Sequence, residues 1–203
     1  MSNHNTTRSC KLTILGDSSV GKTTLIHSFV NDEFRADFKA TLGTDLSNKY
    51  ITVDDQQIQT MIWDTAGTER FQSVGQQFYR GSEACILVAD LTNIETFKHL
   101  EKWRDALISV VPDEDIAHFP FVIFANKADL VESREVSPEQ VKSFGQKFGC
   151  ETFEVSAKNG QNVELGFITV LRKYLENLRV ISIPIYNSPS VDINSGQKNN
   201  SCC

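Results

Sequence analysis

The chain has 203 residues, of which 40% are hydrophobic and 23% are charged, and its formal net charge is −6 at pH 7. This composition is typical of one globular domain, and the acidic balance disfavours nucleic-acid binding, which needs a basic surface. The longest apolar run, Ala84–Ala89, is far shorter than the roughly 20 residues that span a bilayer, and the polar N-terminus lacks the apolar stretch of a secretory signal. We therefore expect a soluble, intracellular protein.

The first half of the chain alternates short apolar runs with polar loops and one helical segment. Leu12–Leu15 is expected to form a buried strand, followed by a helix from about Gly21 to Asn31. Tyr50–Val53 and Ile58–Trp63 flank a polar turn, a pattern that predicts a β-hairpin. Further buried strands are expected at Ala84–Ala89, Phe121–Ala125 and around Glu151–Val155.

The second half contains three segments with helical periodicity. Apolar residues recur on one helical face within Phe97–Val111 and again within Val163–Tyr174. Between these segments, Ser137 followed three positions later by Gln140 forms a capping-box pattern, and Gly149 is expected to end that helix. The alternation predicts an α/β fold with a six-stranded, mostly parallel sheet, one antiparallel edge pair and about five helices.

The cysteine and histidine positions do not indicate a metal site or a disulfide framework. No C-x-x-C pair occurs, and the four histidines lie far apart in the sequence. Cys85 lies within an apolar run, where a free thiol behaves as a small hydrophobic residue. We therefore expect neither a zinc site nor disulfides in the folded domain.

Residues 16–23 match the phosphate-loop pattern G-x-x-x-x-G-K-[ST] between a predicted strand and a predicted helix. In such a loop, backbone N–H groups surround phosphate oxygens, and the start of the following helix adds positive charge. We expect Lys22 to contact the β- and γ-phosphates and the Thr23 hydroxyl to ligate Mg²⁺. The predicted contacts of this loop with the nucleotide are Asp17, Ser18, Ser19, Val20, Gly21, Lys22, Thr23 and Thr24.

Two further loops predict that the nucleotide carries guanine. Asn126, Lys127 and Asp129 follow a predicted strand, at the edge of the sheet where α/β proteins bind ligands. The Asp129 carboxylate can accept hydrogen bonds from guanine N1–H and the exocyclic amine, which adenine does not offer in that geometry. After the next strand, a backbone N–H for guanine O6 is available in the segment Ser156, Ala157 and Lys158.

A second group of residues is expected to act at the γ-phosphate. Asp64 ends the third predicted strand, where a carboxylate can hold Mg²⁺, and the N–H of Gly67 can reach the γ-phosphate. Thr41 precedes the second strand and offers another hydroxyl to the metal. Hydrolysis then needs no protein nucleophile, because Lys22, Mg²⁺ and backbone N–H groups stabilise charge while water attacks.

Together these motifs resemble the Ras-superfamily small GTPases, and within them the Rab proteins, over about residues 9 to 178. Rab-like stretches include WDTAGTERF at residues 63–71 and LVADLT at residues 87–92, and residues 38–41 and 119–122 are most similar to the late-endosomal and lysosomal branch. The resemblance implies GTP hydrolysis, with a switch between GDP- and GTP-bound forms. It also implies that guanine packs against Phe34.

The resemblance further implies recruitment of effectors to vesicle membranes. Its implied partners are effectors of the GTP form, an exchange factor, a GTPase-activating protein, a prenylation escort and a GDP-dissociation inhibitor. They act on a monomer that cycles between cytoplasm and the cytosolic face of late endosomes, lysosomes or related vesicles. The implied effector surface consists of Leu42, Gly43, Leu46, Trp63 and Phe78.

Two residues depart from the Rab pattern. Thr68 stands where Rab proteins carry the glutamine that orients the attacking water, and its shorter side chain lacks the amide. We therefore expect slow intrinsic hydrolysis, unless an activating protein supplies a glutamine and an arginine. Leu46 stands where Rab proteins commonly carry phenylalanine; it is expected either to reshape the effector surface or simply to repack the core.

The composition of the chain ends predicts three regions: a flexible N-terminus at residues 1–8, a nucleotide-binding domain at residues 9–178 and a flexible tail at residues 179–203. Rab proteins that end in Cys-Cys are usually geranylgeranylated, which implies lipid attachment at Cys202 and Cys203. Stable anchoring needs two signals, and the tail has no polybasic cluster, so a second prenyl group is the expected second signal.

Two other functions remain open at this point. The chain could be a GTP-loaded effector-binding module whose hydrolysis is vestigial because of Thr68, which a multiple-turnover assay with a matching activating protein would decide. A small nucleotide or nucleoside kinase shares the phosphate loop, but it would need a lid with arginines for its second substrate. Residues 126–129 favour guanine selection instead.

Overall fold

A six-stranded sheet forms the centre of the protein, in the strand order β2-β3-β1-β4-β5-β6. The computed structural model describes residues 8–34, 41, 43–67 and 77–181. All neighbouring strands are parallel except β2 and β3, which pair antiparallel at one edge. The strands are β1 (Arg8–Leu15), β2 (Thr44–Val53), β3 (Gln56–Thr65), β4 (Ala84–Asp90), β5 (Phe121–Asn126) and β6 (Glu151–Glu154).

The antiparallel edge is the predicted hairpin. Val53 pairs with Gln56, so that Asp54 and Asp55 alone form the turn. Both turn residues have positive φ, 47° and 62°, which matches the twist that a two-residue hairpin loop requires. The short polar turn between two apolar runs therefore sets the register of this edge.

Helices cover both faces of the sheet. The helices are α1 (Lys22–Asn31), α2 (Ile94–Lys98), α3 (Leu100–Ile108), α4 (Asp113–Ile116), α5 (Pro138–Phe148) and α6 (Val163–Ile181). Phe29 of α1 and Phe167 of α6 belong to the core on one face, whereas Trp103 of α3 and Val141 of α5 belong to the core on the other. The predicted six-stranded, mostly parallel sheet with about five helices is confirmed.

The helix boundaries show which local sequence signals predicted a helix end correctly. Ser137 Oγ accepts from the Gln140 N–H while the Gln140 side chain accepts from the Ser137 N–H, which is the predicted capping box. Gly149 ends the same helix with φ at 64°. The segment Phe97–Val111 is instead divided between α2 and α3, and α3 ends at Ile108. Pro112 disfavours helical backbone at Val111, which opposes continuation of the helix to its predicted end.

The ends of the chain fall largely outside the described residues. Helix α6 continues to Ile181, three residues beyond the predicted domain boundary. Within the part of the chain that the structure describes, no helix is both long and apolar enough to cross a membrane.

Candidate nucleotide site

The phosphate loop, Asp64 and the two predicted base-binding loops lie at one edge of the sheet, around the carboxyl ends of parallel strands. The phosphate loop connects β1 to α1, and Gly21, with φ at 95°, immediately precedes the first residue of that helix. In the loop, Ser18 and Ser19 are exposed, Val20 is buried and Thr24 of α1 is half-buried. Ser19 has φ at 63°, so the loop curls before the helix begins, as a loop that surrounds phosphate does.

Lys22 is buried beneath the phosphate loop. Its Nζ donates to the backbone oxygens of Gly16 and Asp17, each at 2.8 Å. Burial lowers the pKa of Lys22 to about 8, although the charges of Asp64 and Asp17 oppose this change. An anion bound in the loop would favour the charged ammonium and raise the pKa again, since an opposite charge stabilises it.

Three predicted metal ligands converge on one point. The Thr23 hydroxyl donates to Asp64 Oδ2, and the Thr41 hydroxyl lies 3.4 Å from the same oxygen and 2.9 Å from Thr23 Oγ1. Burial raises the pKa of Asp64, while the hydrogen bond from Thr23 and the charge of Lys22 lower it. Among the described residues, Asp64 Oδ1 is buried without a hydrogen-bond partner. A hard cation that takes oxygen ligands would satisfy it.

Gly67 lies directly against the phosphate loop. A Cβ at this position would be 2.3 Å from the carbonyl carbon of Asp17 and from the backbone nitrogen of Ser18. One residue earlier, the Ala66 N–H donates to the Gly43 carbonyl at 2.9 Å. The segment around Gly67 is thus connected both to the phosphate loop and to the loop that precedes β2.

On the base side, Asn126 joins the two predicted base-binding loops to the phosphate loop. Its buried side chain donates to the Val20 carbonyl at 2.8 Å and accepts from the Ala157 N–H at 3.2 Å. Lys127 has φ at 67° and its Nζ lies 2.5 Å from Asp90 Oδ2. Asn126 therefore holds loops in position, whereas the predicted contacts with guanine come from its neighbours.

Asp129 is held at the end of this loop by the Ser156–Lys158 segment. Ser156 Oγ donates to Asp129 Oδ1 at 2.6 Å, and Lys158 Nζ lies 3.9 Å from Asp129 Oδ2. The Lys158 N–H donates to Ser156 Oγ at 3.2 Å. One carboxylate oxygen of Asp129 is thus oriented by the chain itself, and the other has only a distant cation.

Several predicted residues are exposed, and others lie outside the described residues. Phe34 lies three residues beyond α1 and is 44% exposed. Leu46 is in register with Trp63 on the edge hairpin and is 46% exposed, so it does not repack the core. The ring centroids of Trp63 and Phe78, two residues of the predicted effector surface, lie 6.3 Å apart. Outside the described residues lie Leu42, Thr68, Cys202 and Cys203.

Two residues that bear on this site were not identified as site residues from the sequence. His99, between α2 and α3, and Trp103 of α3 both bond the side chain of Asp17. The periodicity assigned Trp103 only to the core face, and no local signal connects His99 to a loop 82 positions earlier. The Asp17 side chain is directed to these helices, which leaves its backbone for the phosphate loop.

The chain is similar to known proteins along most of its length. The sequence model of the protein family described as Ras family matches residues 11–176. The Ras-related protein Rab7 of Drosophila melanogaster is 46% identical over 167 residues, which cover 82% of this chain and 80% of that protein. The Ras-related protein Rab-7a of Dictyostelium discoideum is 41% identical over 194 residues, 95% of this chain and 96% of that protein.

A fungal relative extends the comparison. The Ypt/Rab-type GTPase ypt7 of Pyricularia oryzae is 46% identical over 167 residues, which cover 81% of this chain and 82% of that protein. The family match, the identities and the coverage agree with the resemblance that the motifs indicate. The chain belongs to the Ras family as a Rab7-type small GTPase, a GTP hydrolase that binds GTP and GDP and acts in vesicle trafficking.

Proposed function

We propose that this site holds GTP with Mg²⁺ and that the γ-phosphate orders the loops that recruit effectors. The observation that carries the proposal is the convergence of Thr23 and Thr41 on Asp64, whose second carboxylate oxygen is buried without a described partner. Two hydroxyls and a carboxylate are oxygen ligands that suit Mg²⁺. When bound, the metal neutralises charge on the β- and γ-phosphate oxygens.

The residues of the chain then have distinct tasks. Lys22 transfers its hydrogen bonds from backbone carbonyls to phosphate oxygens, and it is already positioned by those carbonyls. The Gly67 N–H donates to the γ-phosphate, since its segment lies against the phosphate loop. Asp129 accepts from the guanine edge through the oxygen that Ser156 leaves available. The Ser156–Lys158 segment supplies an N–H to guanine O6, and Phe34 packs on the base.

In this proposal, the hydrogen bond from the Ala66 N–H to the Gly43 carbonyl couples the γ-phosphate to the effector surface. It joins the segment of Gly67, which faces the γ-phosphate, to the loop that follows Thr41. A γ-phosphate that contacts Gly67 therefore also biases the neighbouring loop, which leads directly to Leu46 of the effector surface. Loss of the γ-phosphate removes this bias, as in the order–disorder switches of nucleotide hydrolases.

Intrinsic hydrolysis is slow in this proposal because of Thr68. A glutamine at this position can accept from the attacking water and donate to the phosphate at the same time, and threonine has neither the amide nor the length. A long-lived GTP form follows. The stronger version, a GTP-loaded binding module with vestigial hydrolysis, predicts no multiple turnover even with a matching activating protein.

The cellular part of the proposal follows the relatives named Rab7. We place the protein on the cytosolic face of late endosomes, lysosomes or related vesicles, with prenyl groups on Cys202 and Cys203. Its partners are an effector, an exchange factor, an activating protein, an escort for prenylation and a GDP-dissociation inhibitor. Intact-mass measurement of protein from its own cells tests the lipid attachment; an unmodified cysteine pair contradicts it.

Nucleotide analysis of the purified protein tests the site. We expect about one guanosine nucleotide per chain, and a lysate pull-down in which the GTP-loaded form captures proteins that the GDP-loaded form does not. The matched control is Asp129→Asn, whose amide donates where guanine also donates, so that guanosine nucleotide is lost while the phosphate loop is unchanged. Purified protein without nucleotide, or with adenosine nucleotide, would contradict the proposal.

A further inference from the structure

The side chain of the second phosphate-loop residue is held by the helices on one face of the sheet. Trp103 Nε1 donates to Asp17 Oδ1 at 2.7 Å, and His99 Nδ1 lies 2.7 Å from Asp17 Oδ2. An ionised carboxylate only accepts hydrogen bonds, so the His99 Nδ1 carries the proton of this bond. Each carboxylate oxygen thus has its own donor, and the two donors lie one helical turn apart.

The backbone of the same residue is a point where three parts of the nucleotide site meet. The Asp17 carbonyl accepts from Lys22 Nζ at 2.8 Å. A Cβ at Gly67 would lie only 2.3 Å from the Asp17 carbonyl carbon. The orientation of the Asp17 peptide group therefore affects both the lysine that faces the phosphates and the segment that faces the γ-phosphate.

We propose that His99 and Trp103 are positioning residues that hold the phosphate loop through the Asp17 carboxylate and thereby slow the release of bound nucleotide. The proposal rests on the nucleotide site proposed above. Bidentate fixation of a carboxylate restricts the rotation of its backbone, because both oxygens must keep their donors. A loop already held in its bound shape loses less conformational freedom when the nucleotide binds.

A His99 variant tests the positioning role separately from the folding stability of the protein. Trp103 is buried in the core, so its replacement also affects folding. The His99 side chain is 52% exposed, and its Nδ1 forms a hydrogen bond with Asp17 Oδ2. Removal of the imidazole therefore tests the bond to the phosphate loop without opening a cavity in the core.

Release of a fluorescent GDP analogue, chased with excess GDP at constant Mg²⁺, measures the effect. We expect His99→Ala to release the analogue about three- to tenfold faster, since one partly exposed hydrogen bond of ordinary net strength is lost. His99→Asn places an amide N–H near the position of Nδ1 and should restore the slow rate. The matched control is Lys98→Ala, an exposed residue that pairs with Glu95, and it should release at the wild-type rate.

A double-mutant cycle with Asp17→Ala tests whether the effect passes through the carboxylate. In the Asp17→Ala background, His99→Ala should add no further acceleration, because the acceptor is already absent. Trp103→Phe should also accelerate release; if it fails to fold, the two His99 variants decide the matter. Melting temperatures of the nucleotide-free His99 variants should stay close to the wild-type value, whereas a merely structural role would lower them.

Three results would overturn the inference: wild-type release from His99→Ala, release from His99→Asn as fast as from His99→Ala, or additive effects with Asp17→Ala. These results differ from a failure of the nucleotide site itself. If wild-type protein retains no GDP, the proposed function is wrong. If it retains GDP and the His99 variants behave as wild type, only the positioning role is wrong.

Discussion

Among the described residues, hydrogen bonds satisfy only one of the two carboxylate oxygens of Asp64. Thr23 and Thr41 meet at Oδ2, and Oδ1 is buried without a partner among the described residues. An unpaired buried carboxylate oxygen costs folding free energy, about 1–3 kcal/mol for a typical polar group. The unpaired oxygen lies at the edge of the sheet where the phosphate loop begins. An unpaired polar atom at such a place is expected of a group that binds a ligand.

Replacement of Asp64 by asparagine tests its role as a metal ligand. The shape is preserved and the charge is lost, so we expect Mg²⁺ affinity to fall about 10- to 100-fold or more. GDP release from wild type should accelerate on addition of EDTA, whereas release from Asp64→Asn should be fast with or without it. Asp54→Asn, an exposed carboxylate paired with Arg172, is the control. A variant that remains as sensitive to EDTA as wild type would argue against this ligand.

Thr68 gives the second prediction at this scale. Thr68→Gln restores an amide that can orient water, so single-turnover hydrolysis of bound GTP should be about tenfold faster or more. Thr68→Ser keeps only the hydroxyl and should hydrolyse at the wild-type rate. Measurement of phosphate release from preloaded protein checks both. Equal rates for Thr68→Gln and wild type would show that this position does not limit hydrolysis.

At the scale of elements, α6 packs closely on β5 through a glycine. A Cβ at Gly166 would lie 2.3 Å from the Phe124 ring. The Phe124 ring in turn packs edge-on against Phe167 at 5.6 Å, and Phe167 stacks on Phe29 of α1 at 3.8 Å. This aromatic column fixes the distance between two helices and the strand that leads to Asn126.

Gly166→Ala should lower the free energy of unfolding. Overpacking costs about 1–3 kcal/mol, and the gain in helix propensity of about 1 kcal/mol offsets only part of it. Leu165→Ala is the matched control, since Leu165 is 53% exposed and should change stability by no more than about 0.5 kcal/mol. Urea denaturation at saturating GDP measures both. A Gly166→Ala protein as stable as wild type would mean that α6 can move away from the sheet without cost.

At the scale of the whole molecule, the nucleotide joins parts of the chain that are far apart in sequence. The phosphate loop, the proposed metal ligand Asp64 and the proposed base-binding loop after Asn126 all lie at the same edge of the sheet. A ligand that contacts all three stabilises the folded state without binding the unfolded one. The gain is about 2.7 kcal/mol when the free ligand is at 100 times its Kd.

Thermal unfolding should therefore depend on the nucleotide base. For a chain of this size, a gain of about 2.7 kcal/mol raises the melting temperature by about 5–10 °C. We expect this rise with GDP and Mg²⁺ added to nucleotide-free protein, and no rise with ATP and Mg²⁺. Differential scanning fluorimetry checks it. An equal rise with ATP would contradict the assignment of Asp129 to guanine selection.

Local sequence patterns were enough to predict the features that depend on neighbours along the chain. The phosphate loop, the hairpin turn at Asp54 and Asp55, and the capping box at Ser137 each follow from hydrogen bonds within a few residues. Such bonds form whenever the local pattern is present. The order of strands and loops was likewise readable, because parallel strands place their carboxyl ends at one edge.

The direction of side chains that meet residues far along the chain could be seen only in the folded protein. Whether Leu46 repacks the core or faces outward was open in the sequence, and the edge position of β2 leaves it exposed. Asp17 reads in the sequence as a phosphate contact, yet its carboxylate is bound by Trp103, 86 positions away. The reason is physical: α3 reaches the phosphate loop only because it packs on the sheet, and packing depends on residues from the whole chain.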